Sequence, residues 1–127
     1  MDILGLGTHV LDCPRVRKLL DAHADKFVRS VYTDREAAYC RDRTHSTEFY
    51  AALWATKEAV FRALGSKWRK GVDWRDVEVV CPRAIEPTVE VTGPTADRMA
   101  ALGVSRVLVT FSYSRLFATA TALAVRA

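Results

Sequence analysis

At 127 residues, of which 50% are hydrophobic, the chain can bury a core as one domain over residues 1–127 and is too short for two. Its formal net charge of +4 favours acidic partners but falls short of the charge typical of a nucleic-acid-binding protein. No apolar run of about 18 residues predicts a membrane span, and the chain does not open with the basic segment of a signal peptide.

The first predicted element is a buried strand over residues 3–10, followed by a helix that starts near Pro14 and continues to residue 31. Gly5 and Gly7 in the strand indicate that another group approaches its backbone closely. His9, near the end of the strand, is either a metal ligand or, as is more common there, a hydrogen-bonded structural histidine. The helix carries a basic edge that is either solvated or docks an acidic protein: Arg15, Arg17, Lys18 and Arg29.

The capping box at residues 33–36, with Thr33 first and Glu36 last, predicts a second helix that continues through Tyr39. A third helix begins near residues 46–48 and ends at Gly65, a residue type that suits the position just after a helix. We expect the third helix to bury apolar side chains at helical spacing: Phe49, Leu53, Val60 and Leu64.

The remainder of the chain is rich in predicted strands. Strands are expected where polar and apolar residues alternate or β-forming residues concentrate, at 77–80, 88–92, 107–111 and 117–125. A short helix begins at Pro94 and stops at Gly103, and residues 113–115 form a hairpin turn. Because these strands cluster after the helices, we expect an α+β fold in which an antiparallel sheet packs on one long helix.

The cysteines bear on the cellular compartment. Cys13, Cys40 and Cys81 are odd in number, widely spaced and without a C-x-x-C pair. This usage favours reduced thiols in a cytoplasmic protein over a disulfide framework.

The third helix also carries the side chains with the most chemical potential. Glu58 and Arg62 are four residues apart, so a solvated surface ion pair accounts for them as well as a functional site does. Lys57 is equally open to a solvated role. Together with His9, however, this carboxylate and these cations could hold a metal ion and a polyphosphate. The sequence contains no P-loop, H-E-x-x-H motif or complete dinucleotide fingerprint.

Two segments carry a resemblance to a known family. Residues 5–10 read G-L-G-T-H-V, and residues 54–66 read W-A-T-K-E-A-V-F-R-A-L-G-S. They resemble the G-[IL]-G-x-D-[IV] opening and the F-A-x-K-E-A-x-x-K-A-[LF]-G-T block of the holo-acyl-carrier-protein synthases, which are small 4′-phosphopantetheinyl transferases. Further similar segments follow the family order: residues 32–36, 76–79, Pro87, 110–113 and 117–120.

The resemblance implies an activity and an assembly. Members move phosphopantetheine from coenzyme A to a serine of acyl carrier protein, in the fatty acid biosynthesis of the cytoplasm, and they are homotrimers with the coenzyme site between subunits. In the family, Mg²⁺ bound between the opening-motif Asp and the Glu of the K-E-A block grips the pyrophosphate. At those two positions this chain has His9 and Glu58.

The resemblance also implies roles for individual side chains. Lys57 and Arg62 join Glu58 as catalytic residues, since fixed cations neutralise phosphate charge most effectively in the transition state. Arg15 matches the arginine that docks the acidic carrier protein. Further substrate-binding roles fall to Ser112, Tyr113 and Gly65.

The departures from the family pattern cluster around this chemistry. His9 replaces the metal-binding Asp, and imidazole suits Mn²⁺ and softer ions better than Mg²⁺. Tyr113 stands in place of the closing-motif His, Leu53 in place of a frequent Arg, and Ile85 in place of a turn glycine. Two alternatives to a Mg²⁺- or Mn²⁺-dependent transferase are therefore retained: a catalytically silent relative that binds coenzyme A or a carrier protein, and a structural oligomer without a ligand.

Overall fold

The computed structural model describes residues 1–65, 71–81 and 86–127; the expectations that fall on Ser66 and Ile85 lie outside these ranges. Within them the helices are α1 (Cys13–Val31), α2 (Asp34–Arg41), α3 (Ser46–Ala63) and α4 (Gly93–Leu102). The strands are β1 (Asp2–Asp12), β2 (Val77–Val80), β3 (Thr88–Val91), β4 (Arg106–Tyr113) and β5 (Phe117–Arg126), and a 3₁₀ turn covers Trp74–Asp76.

The α+β prediction is confirmed, with one refinement in how the strands are grouped. β1, β5 and β4 form a three-stranded antiparallel sheet in that order, with β5 in the centre. β2 and β3 pair separately as a two-stranded antiparallel sheet, which the strand pattern alone did not distinguish. β1 pairs with β5 from Asp2 opposite Arg126 to Asp12 opposite Phe117, so the two ends of the chain close the fold.

α3 lies at the centre of the molecule and is buried on nearly all sides. It packs on the three-stranded sheet and also contacts α1, α2 and β2. The predicted apolar residues Phe49, Leu53, Val60 and Leu64 are buried, but so are Thr56, Lys57 and Glu58. Burial of α3 therefore extends beyond the four predicted residues, because other elements cover the side of α3 that points away from the sheet.

The sheet approaches α3 closely because its facing residues are small. On β5 these residues are alanines, buried at positions 118, 120, 122 and 124. On β1 they are Gly5 and Gly7, and a Cβ on either glycine would lie 1.9 Å from a backbone carbonyl oxygen, that of Ala63 or of Ala59. The close approach predicted from the two glycines is thus confirmed, and the group that approaches is the backbone of α3.

Gly7→Ala is expected to destabilise the fold by at least about 3 kcal/mol, at the upper end of the usual cost of overpacking, because the added methyl group meets a backbone atom rather than a mobile side chain. Chemical denaturation measures this change. Thr8→Ala is the matched control, since the Thr8 side chain points to the exposed face of β1, and it should stay within about 1 kcal/mol of the parent. A Gly7→Ala protein as stable as the control would contradict this packing.

α1 contains a kink that the sequence pattern did not predict. Its start agrees with expectation, with Asp12 as the N-cap residue and Pro14 in the first turn. Ala24, however, has φ 23° and ψ −108°, outside the helical region. Because the backbone of Ala24 is not helical, α1 is divided there into two helical segments. A positive φ is unfavourable for a residue with a Cβ.

Candidate metal and phosphate site

Glu58 and Arg62 lie where the last turns of α3 pass over β1. The Nε of Arg62 donates to Oε2 of Glu58 over 2.9 Å, and its Nη1 donates to the backbone carbonyl of Thr8 over 3.2 Å. The Glu58 side chain is 11% exposed and that of Arg62 is 48% exposed. The ion pair expected from the spacing is confirmed, but it is not simply solvated, because it joins the helix to the strand.

His9 belongs to the same junction. It shares a face of β1 with Gly7, since alternate strand residues point to the same side. β1 runs antiparallel to α3, and two strand residues advance by about 6.6 Å while one helical turn advances by about 5.4 Å. Gly5 meets Ala63 and Gly7 meets Ala59, so each step of two residues along β1 corresponds to about one turn back along α3. His9, half-buried and opposite Ala120, lies beside the turn that leads to Glu58.

Lys57 is placed differently from the expectation. Its side chain is fully buried, and its Nζ forms a salt bridge with Oε1 of Glu36 at 2.7 Å. The same Nζ donates to the backbone carbonyls of Val77 at 2.5 Å and of Trp74 at 3.2 Å. These three partners point the ammonium into the interior, away from Arg62. The catalytic role expected of Lys57 stays a prediction; what the structure shows is that Lys57 holds α3 to α2 and β2.

Glu36, the partner of Lys57, was anticipated only as part of a capping box. The box is present, with the Thr33 N–H donating to Oε1 of Glu36 and the Glu36 N–H donating to the Thr33 hydroxyl. Oε2 of Glu36 also accepts from the N–H of Val79 over 2.8 Å. Burial lowers the pKa of Lys57, while the carboxylate of Glu36 acts in the opposite direction. The capping signal located Glu36 correctly but gave no sign of the ion pair.

The donor groups at the β1–α3 junction limit how a metal ion could bind. Among the residues that the structure describes, no three His, Cys, Asp or Glu side chains converge as a metal site. The Glu58 carboxylate suits Mg²⁺ or Mn²⁺, and the His9 imidazole suits Mn²⁺ better than Mg²⁺. An ion held here would need further oxygen ligands, which phosphate groups and water supply, so the residues fit a metal that binds together with a polyphosphate.

The remaining predicted site residues are spread over the surface. Gly65 follows the end of α3 with φ 101°, which confirms its predicted position just after the helix. Ser112 and Tyr113 end β4, where the Tyr113 ring packs edge-on against Phe49 with centroids 6.1 Å apart. Phe49 precedes Glu58 by nine residues, about 13 Å along the helix. Within one chain, Tyr113 therefore lies about half the length of α3 away from Glu58.

Arg15 lies at the start of α1, apart from the β1–α3 junction. Its side chain is exposed, and its N–H donates to the N-cap carboxylate of Asp12. Arg17, also exposed, pairs with Asp21 at 3.2 Å. The basic edge predicted for this helix is thus present on the surface.

Comparison with known proteins gives a consistent picture. Residues 5–122 match the model of the 4′-phosphopantetheinyl transferase superfamily. The chain is 36% identical to a holo-[acyl-carrier-protein] synthase of Chlamydia trachomatis over 122 residues, which cover 96% of this chain and 99% of that protein. It is 34% identical to a protein of the same name from Solibacter usitatus over 112 residues, 88% of this chain and 90% of that one.

Solved structures agree in fold over almost the whole chain. The holo-(acyl-carrier-protein) synthase of Bacillus anthracis, solved in complex with CoA (3′,5′-ADP), superposes with a TM-score of 0.79 at 26% identity and 98% coverage of both chains. The Mycobacterium tuberculosis acyl carrier protein synthase superposes with a TM-score of 0.74 at 27% identity, covering 99% of this chain and 100% of that one.

Proposed function

The chain belongs to the 4′-phosphopantetheinyl transferase superfamily, and on that premise we propose that it is a holo-[acyl-carrier-protein] synthase. Such an enzyme transfers the 4′-phosphopantetheine group of coenzyme A to a serine of acyl carrier protein. A bond forms between the serine oxygen and the phosphorus of the pantetheine phosphate. The pyrophosphate bond breaks, adenosine 3′,5′-bisphosphate leaves with the electron pair, and the proton of the serine hydroxyl passes to solvent.

One observation carries the assignment of the site: the Glu58–Arg62 pair is anchored to β1 at the carbonyl of Thr8. We propose that Arg62, half-exposed beside this strand, contacts the pyrophosphate and neutralises the charge that develops on the leaving group. A fixed cation is most effective at this task because it needs no reorganisation during the reaction. A divalent cation bound at Glu58 would supply further neutralisation of the pyrophosphate.

We propose Mg²⁺ or Mn²⁺ as this cation, with Glu58 and His9 as its protein ligands. His9→Asp should therefore shift the metal preference towards Mg²⁺ and raise transfer at low Mg²⁺, because a carboxylate replaces an imidazole. The measurement is carrier modification against Mg²⁺ and Mn²⁺ concentration for both proteins. Identical metal profiles would show that His9 does not contact the ion.

We propose that acyl carrier protein docks on the basic edge of α1. Arg15→Glu should weaken carrier binding at least about threefold, because it replaces an attraction to the acidic partner with a repulsion. Added salt should weaken binding of the parent, because it screens the attraction between exposed charges. Titration of apo-carrier protein by calorimetry measures both effects. Arg75→Glu, a charge reversal on the 3₁₀ turn, is the matched control. If neither Arg15→Glu nor added salt changed the affinity for the carrier, the carrier would not dock on this surface.

We further propose a homotrimer with the coenzyme site between subunits. The face of the three-stranded sheet that points away from α3 exposes apolar side chains: Leu4, Leu6, Val10 and Leu108. Such a face favours burial against another chain. The distance between Tyr113 and Glu58 within one chain also favours a site completed by a neighbouring subunit. Light scattering measures the mass of the assembly.

The location of the protein stays a prediction. Among the described helices, none has the length and apolar character needed to cross a membrane. We propose a cytoplasmic enzyme that serves fatty acid biosynthesis.

The proposed activity is tested by the intact mass of an apo-acyl carrier protein after incubation with this protein, coenzyme A and Mg²⁺ or Mn²⁺. A gain equal to one phosphopantetheine group supports transfer. An unchanged carrier mass, with coenzyme A or carrier bound, would instead indicate a catalytically silent relative.

A further inference from the structure

Arg98 connects α4 to the end of the helix that carries Glu58 and Arg62. Its Nε donates to the backbone carbonyl of Leu64 over 3.1 Å, and the side chain is partly buried. Leu64 is the C-cap residue of α3 and directly precedes Gly65. The other side of the Leu64–Gly65 peptide is also fixed, because the Gly65 N–H donates to the carbonyl of Arg62 over 3.1 Å.

This position has an electrostatic consequence. The C-terminal end of an α-helix carries a partial negative charge, since its last carbonyls lack helical partners. α3 is 18 residues long, and its C-terminal end lies next to the place where the proposed function puts a pyrophosphate. An uncompensated helix end of this kind repels a polyanion, whereas a guanidinium bonded to the last carbonyl offsets that charge.

We propose that Arg98 is a positioning residue for the anionic part of coenzyme A: it places a positive charge at the negative end of α3 and fixes the Leu64–Gly65 peptide. The proposal rests on the proposed function, because it takes coenzyme A as the ligand. It does not require that Arg98 touch the substrate. Arg98 acts through the end of α3, whereas Arg62 is proposed to contact the pyrophosphate.

The test is the dissociation constant of coenzyme A, titrated by calorimetry in the presence of Mn²⁺, for the parent, Arg98→Gln and Arg98→Lys. Arg98→Gln keeps a donor for the Leu64 carbonyl but removes the charge, so its dissociation constant should rise about threefold to tenfold. Arg98→Lys keeps the charge and should stay within about twofold of the parent. Added salt should reduce the difference in the dissociation constant of coenzyme A between the parent and Arg98→Gln, because salt screens the charge of Arg98.

A control variant and a stability measurement separate this role from a purely structural one. Arg41→Gln removes one positive charge from the exposed surface of α2 and should bind coenzyme A like the parent. Thermal unfolding reports the stability of each variant. Equal coenzyme affinity in the parent and Arg98→Gln would overturn the proposal, as would equal weakening in Arg98→Gln and Arg98→Lys. A parent that binds no coenzyme A would overturn the proposed function itself, and that result is visible without any variant.

Discussion

Glu58→Gln is expected to lower the rate of carrier modification by at least about a thousandfold, or about 4 kcal/mol of activation free energy. The substitution keeps the shape of the side chain and an oxygen that can accept from Nε of Arg62. It removes the carboxylate charge that the proposed divalent cation would need at the junction of β1 and α3. The fold should survive, because the contact with Arg62, itself anchored at the carbonyl of Thr8, is largely retained.

The measurement is the initial rate of carrier mass gain at equal concentrations of folded protein. Glu90→Gln is the matched control, since it removes an exposed carboxylate on β3, far from α3 in the chain, and should react like the parent. If Glu58→Gln stayed within about threefold of the parent rate, or under 1 kcal/mol, Glu58 would be only the ion-pair partner of Arg62.

Lys57→Met is expected to cost about 3 to 5 kcal/mol of folding free energy, because it leaves the buried carboxylate of Glu36 without its partner. Glu36→Gln should also destabilise the protein, since it removes the charge opposite Lys57. A double variant, Lys57→Met with Glu36→Gln, should cost less than the sum of the two single changes, because neither buried charge then remains unpaired.

Denaturant unfolding of the parent, both single variants and the double variant completes this cycle. The double variant also separates the two roles considered for Lys57. If Lys57 acts only by holding α3 to α2 and β2, the folded double variant should transfer within about tenfold of the parent rate. The structural role would be contradicted if the losses of unfolding free energy in the two single variants simply added in the double variant. It would also be contradicted by a folded double variant that binds coenzyme A but is inactive.

Local patterns in the sequence predicted the elements well. The capping box of Thr33 and Glu36, Pro14 at the start of α1 and Gly65 after α3 each act within a few residues, so their effect can be read from short segments. The alternation of side chains identified the strands for the same reason. The glycines of β1 predicted a close approach without identifying α3 as its partner.

What the sequence could not supply were relations between distant segments. The partner of Lys57 lies 21 residues away in another helix, so helical spacing could not decide whether this lysine faces solvent, phosphate or the interior. Pairing of β1 with β5 joins the two ends of the chain, which no local pattern encodes. The anchoring of Arg62 to the Thr8 carbonyl likewise depends on how closely the glycines let strand and helix approach.

The most direct test of the proposed site is a crystal structure of the protein with coenzyme A and Mn²⁺, in which the anomalous scattering of manganese locates the ion. The ion is expected at the β1–α3 junction, about 2.0 to 2.6 Å from a carboxylate oxygen of Glu58 and in contact with pyrophosphate oxygens, with Arg62 beside them. Manganese and pyrophosphate bound together at any other place on the protein would contradict the account.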